Sequence, residues 1–109
     1  MITLTVPAAR QISAAAHQTL GGQTAAKPTL RLAVKRDADG SFQYAMGFDA
    51  ESEDDIVTHA QGCTLVALPA YVELLNGLTI DYVELEPGRF EFIFLNPNDP
   101  DYVPPQNPV

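Results

Sequence analysis

Apolar residues first recur at helical spacing: Val6, Ala9, Ile12, Ala16 and Leu20 stand three or four apart and share one stripe of a helix. Thr5 occupies the N-cap position. Pro7 falls in the first turn, where a missing N–H costs little, and Gly21-Gly22 ends the pattern with residues that readily take the left-handed cap conformation. The pattern predicts a helix from about residue 6 to residue 20.

After the linker Gln23 to Pro28 the period becomes two. Leu30, Leu32 and Val34 alternate with Arg31, Ala33 and Lys35, and Phe42, Tyr44, Met46 and Phe48 alternate with Gln43, Ala45 and Gly47. Each run is the signature of a strand with one buried face. Asp39-Gly40 between them suits the positive φ angles of hairpin turns, so residues 30 to 48 read as a β-hairpin.

Residues 49 to 55 gather Asp49, Glu51, Glu53, Asp54 and Asp55, a density of like charge that predicts an exposed loop. Ile56 and Val57 restart apolar structure. Cys63 to Leu68 is almost wholly apolar and reads as a strand covered on both faces. Pro69 then opens a short helix that Asn76-Gly77 closes, and Leu78 to Leu85 and Phe90 to Leu95 supply two further strands. Phe42, Tyr44, Phe48, Phe90, Phe92 and Phe94 sit at strand periodicity, which favours core packing over a cofactor box. From Asn96 onward five prolines in fourteen residues remove backbone donors, which predicts an extended or disordered tail.

Composition bounds the picture. A chain of 109 residues, 46% of them hydrophobic, supports one core and not two. No apolar run approaches the roughly 18 residues needed to cross a membrane. Met1-Ile2-Thr3-Leu4-Thr5 lacks the basic region and long apolar run of a secretion signal, so a cytoplasmic protein is expected. The single cysteine, Cys63, forms no internal disulfide and cannot make a four-thiolate metal site. With 14 acidic against 6 basic side chains the formal net charge is −8, which disfavours direct nucleic-acid binding and association with anionic membranes.

The order of elements, together with several local strings, resembles the A-type iron-sulfur carriers, also called the HesB or IscA/SufA-like family. The strings are Ile2-Thr3-Leu4-Thr5 leading into an alanine-rich helix, Leu30 to Val34, and Asp54-Asp55-Ile56-Val57. The most specific are Leu75-Asn76-Gly77-Leu78-Thr79-Ile80-Asp81-Tyr82-Val83, Phe90-Glu91-Phe92 and Asn96-Pro97-Asn98. The resemblance covers nearly the whole chain. It implies a mainly β protein with two helices, a HesB-like compact β-sandwich of mixed sheets with an N-terminal helix, a short helix near 69–76 and a disordered C-terminal tail. Residues 1–98 are then the HesB/IscA-like domain and 99–109 the proline-rich extension.

Family members hold iron or a cluster with three cysteines per subunit, one in the turn between the first two hairpin strands and two in a C-terminal Cys-Gly-Cys. Here the resemblance places Asp39, Val103 and Pro105 at those positions. Iron-sulfur clusters need soft thiolate donors, and valine and proline side chains offer no lone pair. Cluster carriage by the family mechanism is therefore not expected, and no cofactor is assigned. The chain is similar to cysteine-free members that accompany the reverse dissimilatory sulfite reductase of sulfur-oxidising bacteria. Carriers commonly associate around the tail cysteines, so their loss predicts a monomer.

Other candidate features have simpler explanations. Asp37-Ala38-Asp39-Gly40 lacks the later spacing of a calcium loop and fits a hairpin turn. Cys63 in an apolar strand is a core residue with a raised pKa. His17 and His59 have no carboxylate at metal-ligand spacing. The acidic residues Glu51, Glu53, Asp54 and Asp55 read first as a solvated loop and second as a docking surface for a basic partner. Tyr102, between Pro100 and Pro104, is a candidate anchor for a partner groove. There is no phosphate loop, serine elbow or histidine visibly paired with a nucleophile, so an enzyme is not expected. The leading reading is a non-catalytic protein-binding or regulatory module whose protein partner the sequence does not identify. The alternative is iron binding through oxygen ligands from Asp37, Asp39 and the acidic loop.

Overall fold

The computed structural model describes residues 2–19 and 28–100. Leu20, the Gly21-Gly22 stop, the linker through Lys27, and Tyr102, Val103 and Pro105 lie outside the described residues. The elements run β1 (Thr3–Leu4), α1 (Val6–Thr19), β2 (Thr29–Arg36), β3 (Phe42–Phe48), β4 (Ile56–Ala60) and β5 (Cys63–Ala67). A 3-10 turn (Pro69–Tyr71) continues into α2 (Val72–Leu75), followed by β6 (Thr79–Glu86) and β7 (Arg89–Leu95). Two mixed sheets result, one of four strands in the order β3-β2-β5-β4 and one of three in the order β1-β6-β7. This is the mainly β architecture with two helices that the resemblance implies.

Thr5 caps α1 as expected: its hydroxyl accepts from the Ala8 N–H at 3.3 Å and donates to Asp81 Oδ1 at 2.7 Å, tying the helix start to β6. The buried stripe is Ala8, Ala9, Ile12 and Ala16. Val6 does not join it and is 46% exposed. A helical side chain leans toward the N-terminus, and the first residue has no preceding turn to lean on. Ala8 takes its place. The small residues on this stripe let the helix lie close to β6.

The β2–β3 hairpin pairs Leu30 with Phe48 and Arg36 with Phe42, and Leu30, Leu32 and Val34 are all buried, as the alternation predicts. β5 lies parallel to β2 and antiparallel to β4, so it is central, and Cys63, Leu65, Val66 and Ala67 are buried. Leu68 falls outside that covered strand and is 45% exposed. The helix expected after Pro69 is a 3-10 turn followed by one α-turn, with Gly77 at φ +85° just beyond it. Thr3-Leu4, which carries too few residues to show a period, pairs parallel with Thr79-Ile80.

The core joins Leu4, Ile12, Leu30, Leu32, Val34, Leu65, Leu78 and Ile80 across both sheets and α1. Burying each such aliphatic side chain stabilises the fold by about 1.5–3 kcal/mol. Phe42 is buried and Phe92 and Phe94 pack against this core, but Phe90 is 51% exposed, a correction to its core assignment. It sits near the start of β7, stacked on Tyr82 with ring centroids 5.7 Å apart.

Candidate functional site

The turn between β2 and β3 is closed by main-chain bonds from Asp37 N–H to Ser41 C=O at 2.8 Å and from Gly40 N–H to Asp37 C=O at 2.9 Å. Gly40 stands at φ +88°, where a side chain is strained. Asp39 turns its carboxylate inward on the loop, accepting from the Ser41 N–H and hydroxyl, and those bonds hold its carboxyl below the usual range. Asp37 accepts from Gln43 Nε2 at 3.0 Å.

The end of the described chain meets this turn. Pro100 Cγ lies 3.8 Å from the position a Gly40 Cβ would occupy, and Tyr44 donates its hydroxyl to Asp99 Oδ2 at 3.2 Å. Burial, with the Asp99 charge beside it, pushes the Tyr44 hydroxyl up to about 12. Its ring stacks on Phe94 at 4.7 Å. The described chain thus ends at the corner formed by the β2–β3 turn.

That approach is fixed by Asn96 and Asn98, which the proline content places in an extended or disordered tail but which are ordered here. Asn96 is 1% exposed, and its Nδ2 donates to Leu74 C=O at 2.6 Å. Asn98 donates through Nδ2 to Asn76 C=O at 2.7 Å and through its main-chain N–H to Asn96 Oδ1 at 3.0 Å. The two asparagines satisfy carbonyls that the short α2 leaves open. Asn96 to Asp99 is therefore an ordered turn, stabilised by side-chain amides where proline removes backbone donors. The signal was present in Asn-Pro-Asn, a string whose side chains make turns of their own.

The acidic loop divides in two. Arg31 Nε binds Asp49 Oδ2 at 2.6 Å, while its Nη1 and Nη2 bind both oxygens of Asp55 at 2.8 and 2.6 Å. The Asp55 side chain is 0% exposed, and it also accepts from the Ser52 N–H. The guanidinium holds both carboxyls below the ordinary range, and they raise its own pKa. Asp55 is thus a structural partner of Arg31, and of the acidic residues assigned to docking only Glu51, Glu53 and Asp54 stand exposed.

Cys63 is 4% exposed on β5, and burial pushes its thiol up. His59 is exposed on β4, with Nδ1 3.4 Å from the Thr64 hydroxyl, and His17 Nδ1 lies 2.8 Å from Ser13 C=O. Among the described residues, no three His, Cys, Asp or Glu side chains converge as a ligand group, and no helix is long and apolar enough to cross a membrane.

No protein-family model matches the chain. Over 93 residues it is 36% identical to an uncharacterized protein of the nifU 5′ region of Cereibacter sphaeroides, covering 81% of this chain and 87% of that one. The crystal structure of IscA with a [2Fe-2S] cluster superposes with a TM-score of 0.71 at 32% identity, covering 89% of this chain and 86% of that chain. The chain belongs to the A-type iron-sulfur carrier family. Escherichia coli SufA superposes on this carrier homologue with a TM-score of 0.69 at 26% identity, covering 89% of this chain and 86% of SufA. The iron-sulfur cluster insertion protein ErpA of Xanthomonas campestris is 34% identical over 74 residues, which are 67% of this chain and 57% of ErpA. The chain thus spans little more than half the length of that relative. Within the carrier scaffold a cluster cargo is not fitted by the residues present: the one thiol is buried in β5, and the turn offers a carboxylate already bonded to Ser41.

Proposed function

We propose that this protein is a non-catalytic A-type carrier homologue that carries no thiolate-held cluster and acts as a protein-binding or regulatory accessory factor. The single observation that supports the reading is the position of its one cysteine, Cys63, inside β5 and away from the β2–β3 turn. On the resemblance, Asp39, Val103 and Pro105 occupy the positions of the family's three ligands, and none supplies sulfur. Residues 1–98 form the carrier domain and 99–109 the extension, with Glu51, Glu53, Asp54 and Tyr102 as the partner-facing set. Asp55 supports that set through Arg31 and does not itself meet the partner.

The chain resembles DsrR, so the accessory role is placed in cytoplasmic sulfur oxidation beside reverse dissimilatory sulfite reductase, with the protein acting as a monomer. Protein isolated under reducing, chelator-containing conditions is then colourless and free of iron while a protein partner co-purifies. Stoichiometric iron retained under those conditions overturns the reading.

A second reading has iron bound by oxygen ligands and passed to an assembly machine. It is supported by the exposed, fully ionised Asp39 beside Asp37 in the turn. Replacing both residues by asparagine abolishes iron uptake on this reading, and unchanged uptake sinks it.

A further inference from the structure

We propose that the groove between β4 and α2 receives an extended segment of the partner protein, apolar residues alternating with lysine or arginine, which adds as a strand to the free edge of β4. The proposal rests on the accessory role above and names the surface and the chemistry that role would use.

Strand β4 ends the four-stranded sheet, with β5 on one side and no strand on the other among the described residues. Its sequence, Ile56-Val57-Thr58-His59-Ala60, has none of the lysines or prolines that commonly blunt such edges. The register pairs Ile56 with Ala67 and Thr58 with Leu65, so these four share one face. Opposite them stand Ile2, Val72 and Leu75, and together they line a groove of about 80 Å³. That space admits an aliphatic side chain. At its mouth Ile56 is 47% and Val72 39% exposed, with Leu68 nearby in sequence at 45%.

Charge selects the occupant. Glu51, Glu53 and Asp54 lead into Ile56, and Glu73 follows Val72, so exposed carboxylates flank both walls. Asp49 and Asp55 already hold Arg31, whereas among the described residues no ion pair engages these four. Among the described residues no lysine or arginine lines the groove. A cationic strand meets a complementary rim, and its main-chain groups meet an open edge. The chain's own extension fits poorly, because residues 101–109 contain no lysine or arginine and three prolines that cannot donate to a ladder. A second copy brings another net charge of −8.

The test is an NMR titration of the full-length, isotope-labelled protein with three synthetic peptides of equal length, alternating Lys-Val, Glu-Val and Lys-Ser. The Lys-Val peptide should shift Ile2, Ile56 and Val72 and slow amide exchange across Ile56–Ala60, with the other two binding at least about tenfold more weakly. Ile56→Lys and Val72→Lys should each weaken binding about tenfold or more. Both side chains are partly exposed, and an otherwise unchanged spectrum verifies the fold. Replacing Glu51, Glu53 and Asp54 by their amides should remove most of the salt dependence.

Equal binding of the Glu-Val peptide, no binding of the Lys-Val peptide, or shifts confined to other surfaces overturns the proposal. So do contacts from Tyr102 to Ile56 without peptide, which mark the chain's own extension as occupant, and shifts of Ile56 and Val72 that grow with protein concentration, which mark a second copy. Iron content plays no part in this readout, so the accessory role stands or falls separately.

Discussion

At one end of the β2–β3 hairpin Arg31 grips Asp49 and Asp55 at 2.6 Å, and at the other the carboxylates of Asp37 and Asp39 accept from the neutral Gln43 and Ser41. All four are aspartates in connecting segments. At the Arg31 end the carboxylate that matters has left water altogether, so its charge is part of the packing. At the turn end Asp39 stays exposed and Asp37 half-buried, and the local bonds shape the loop. The difference separates acidity that holds the fold from acidity that stays in contact with solvent, which a count of acidic residues merges.

Removing Arg31 should have the largest effect. Arg31→Ala leaves Asp55 covered without its counter-charge, and thermal unfolding should fall by several degrees, measured by circular dichroism at pH 7. The pH dependence supplies the sign. Asp49 and Asp55 have folded-state values below the unfolded one, so their stabilisation is complete above the unfolded range and is lost as pH falls through and below about 4. The gap between wild type and Arg31→Ala should therefore be widest near neutrality and close in acid. A gap that is independent of pH would show that the guanidinium acts through packing alone.

Gly40→Val tests the turn end by backbone strain. A β-branched residue at φ +88° should cost about 1–2 kcal/mol in urea unfolding with an unchanged slope. Asp39→Ala should cost less, since it removes an exposed local bond and leaves the turn's main-chain bonds in place. If Asp39→Ala proved as damaging as Arg31→Ala, the distinction between the two ends would fail. Glu51→Gln with Glu53→Gln should be the smallest change, leaving the unfolding midpoint where it was.

Periodicity located α1 and the hairpin strands β2 and β3, because each buries one face and so repeats at 3.6 or 2, and the continuous apolar run Cys63 to Leu68 located β5; β4 was legible only as renewed apolar structure at Ile56-Val57. β1 was invisible: it is held by main-chain bonds from the Thr3 N–H to Leu78 C=O and from the Thr5 N–H to Ile80 C=O, which leave no periodic trace. Asn96 and Asn98 were hidden by the prolines between and around them, since their value lies in side-chain amides that reach α2 across 22 residues of sequence. Charge density gave the acidic loop its exposure but not its division, because Arg31 sits 18 residues before Asp49 and 24 before Asp55. The aspartate in the turn was legible as a turn residue, and the approach of Pro100 to the neighbouring Gly40 was not.

The proposed function has a carrier scaffold persist without the carriers' thiolate chemistry. Its most direct test is anaerobic incubation of the full chain with ferrous iron, sulfide and dithiothreitol, desalting into chelator, then assay of iron and acid-labile sulfide with the visible spectrum. Neither bound iron nor cluster absorption is expected, in wild type and Cys63→Ala alike. Stoichiometric iron and sulfide with a cluster spectrum in the wild type would contradict the proposal.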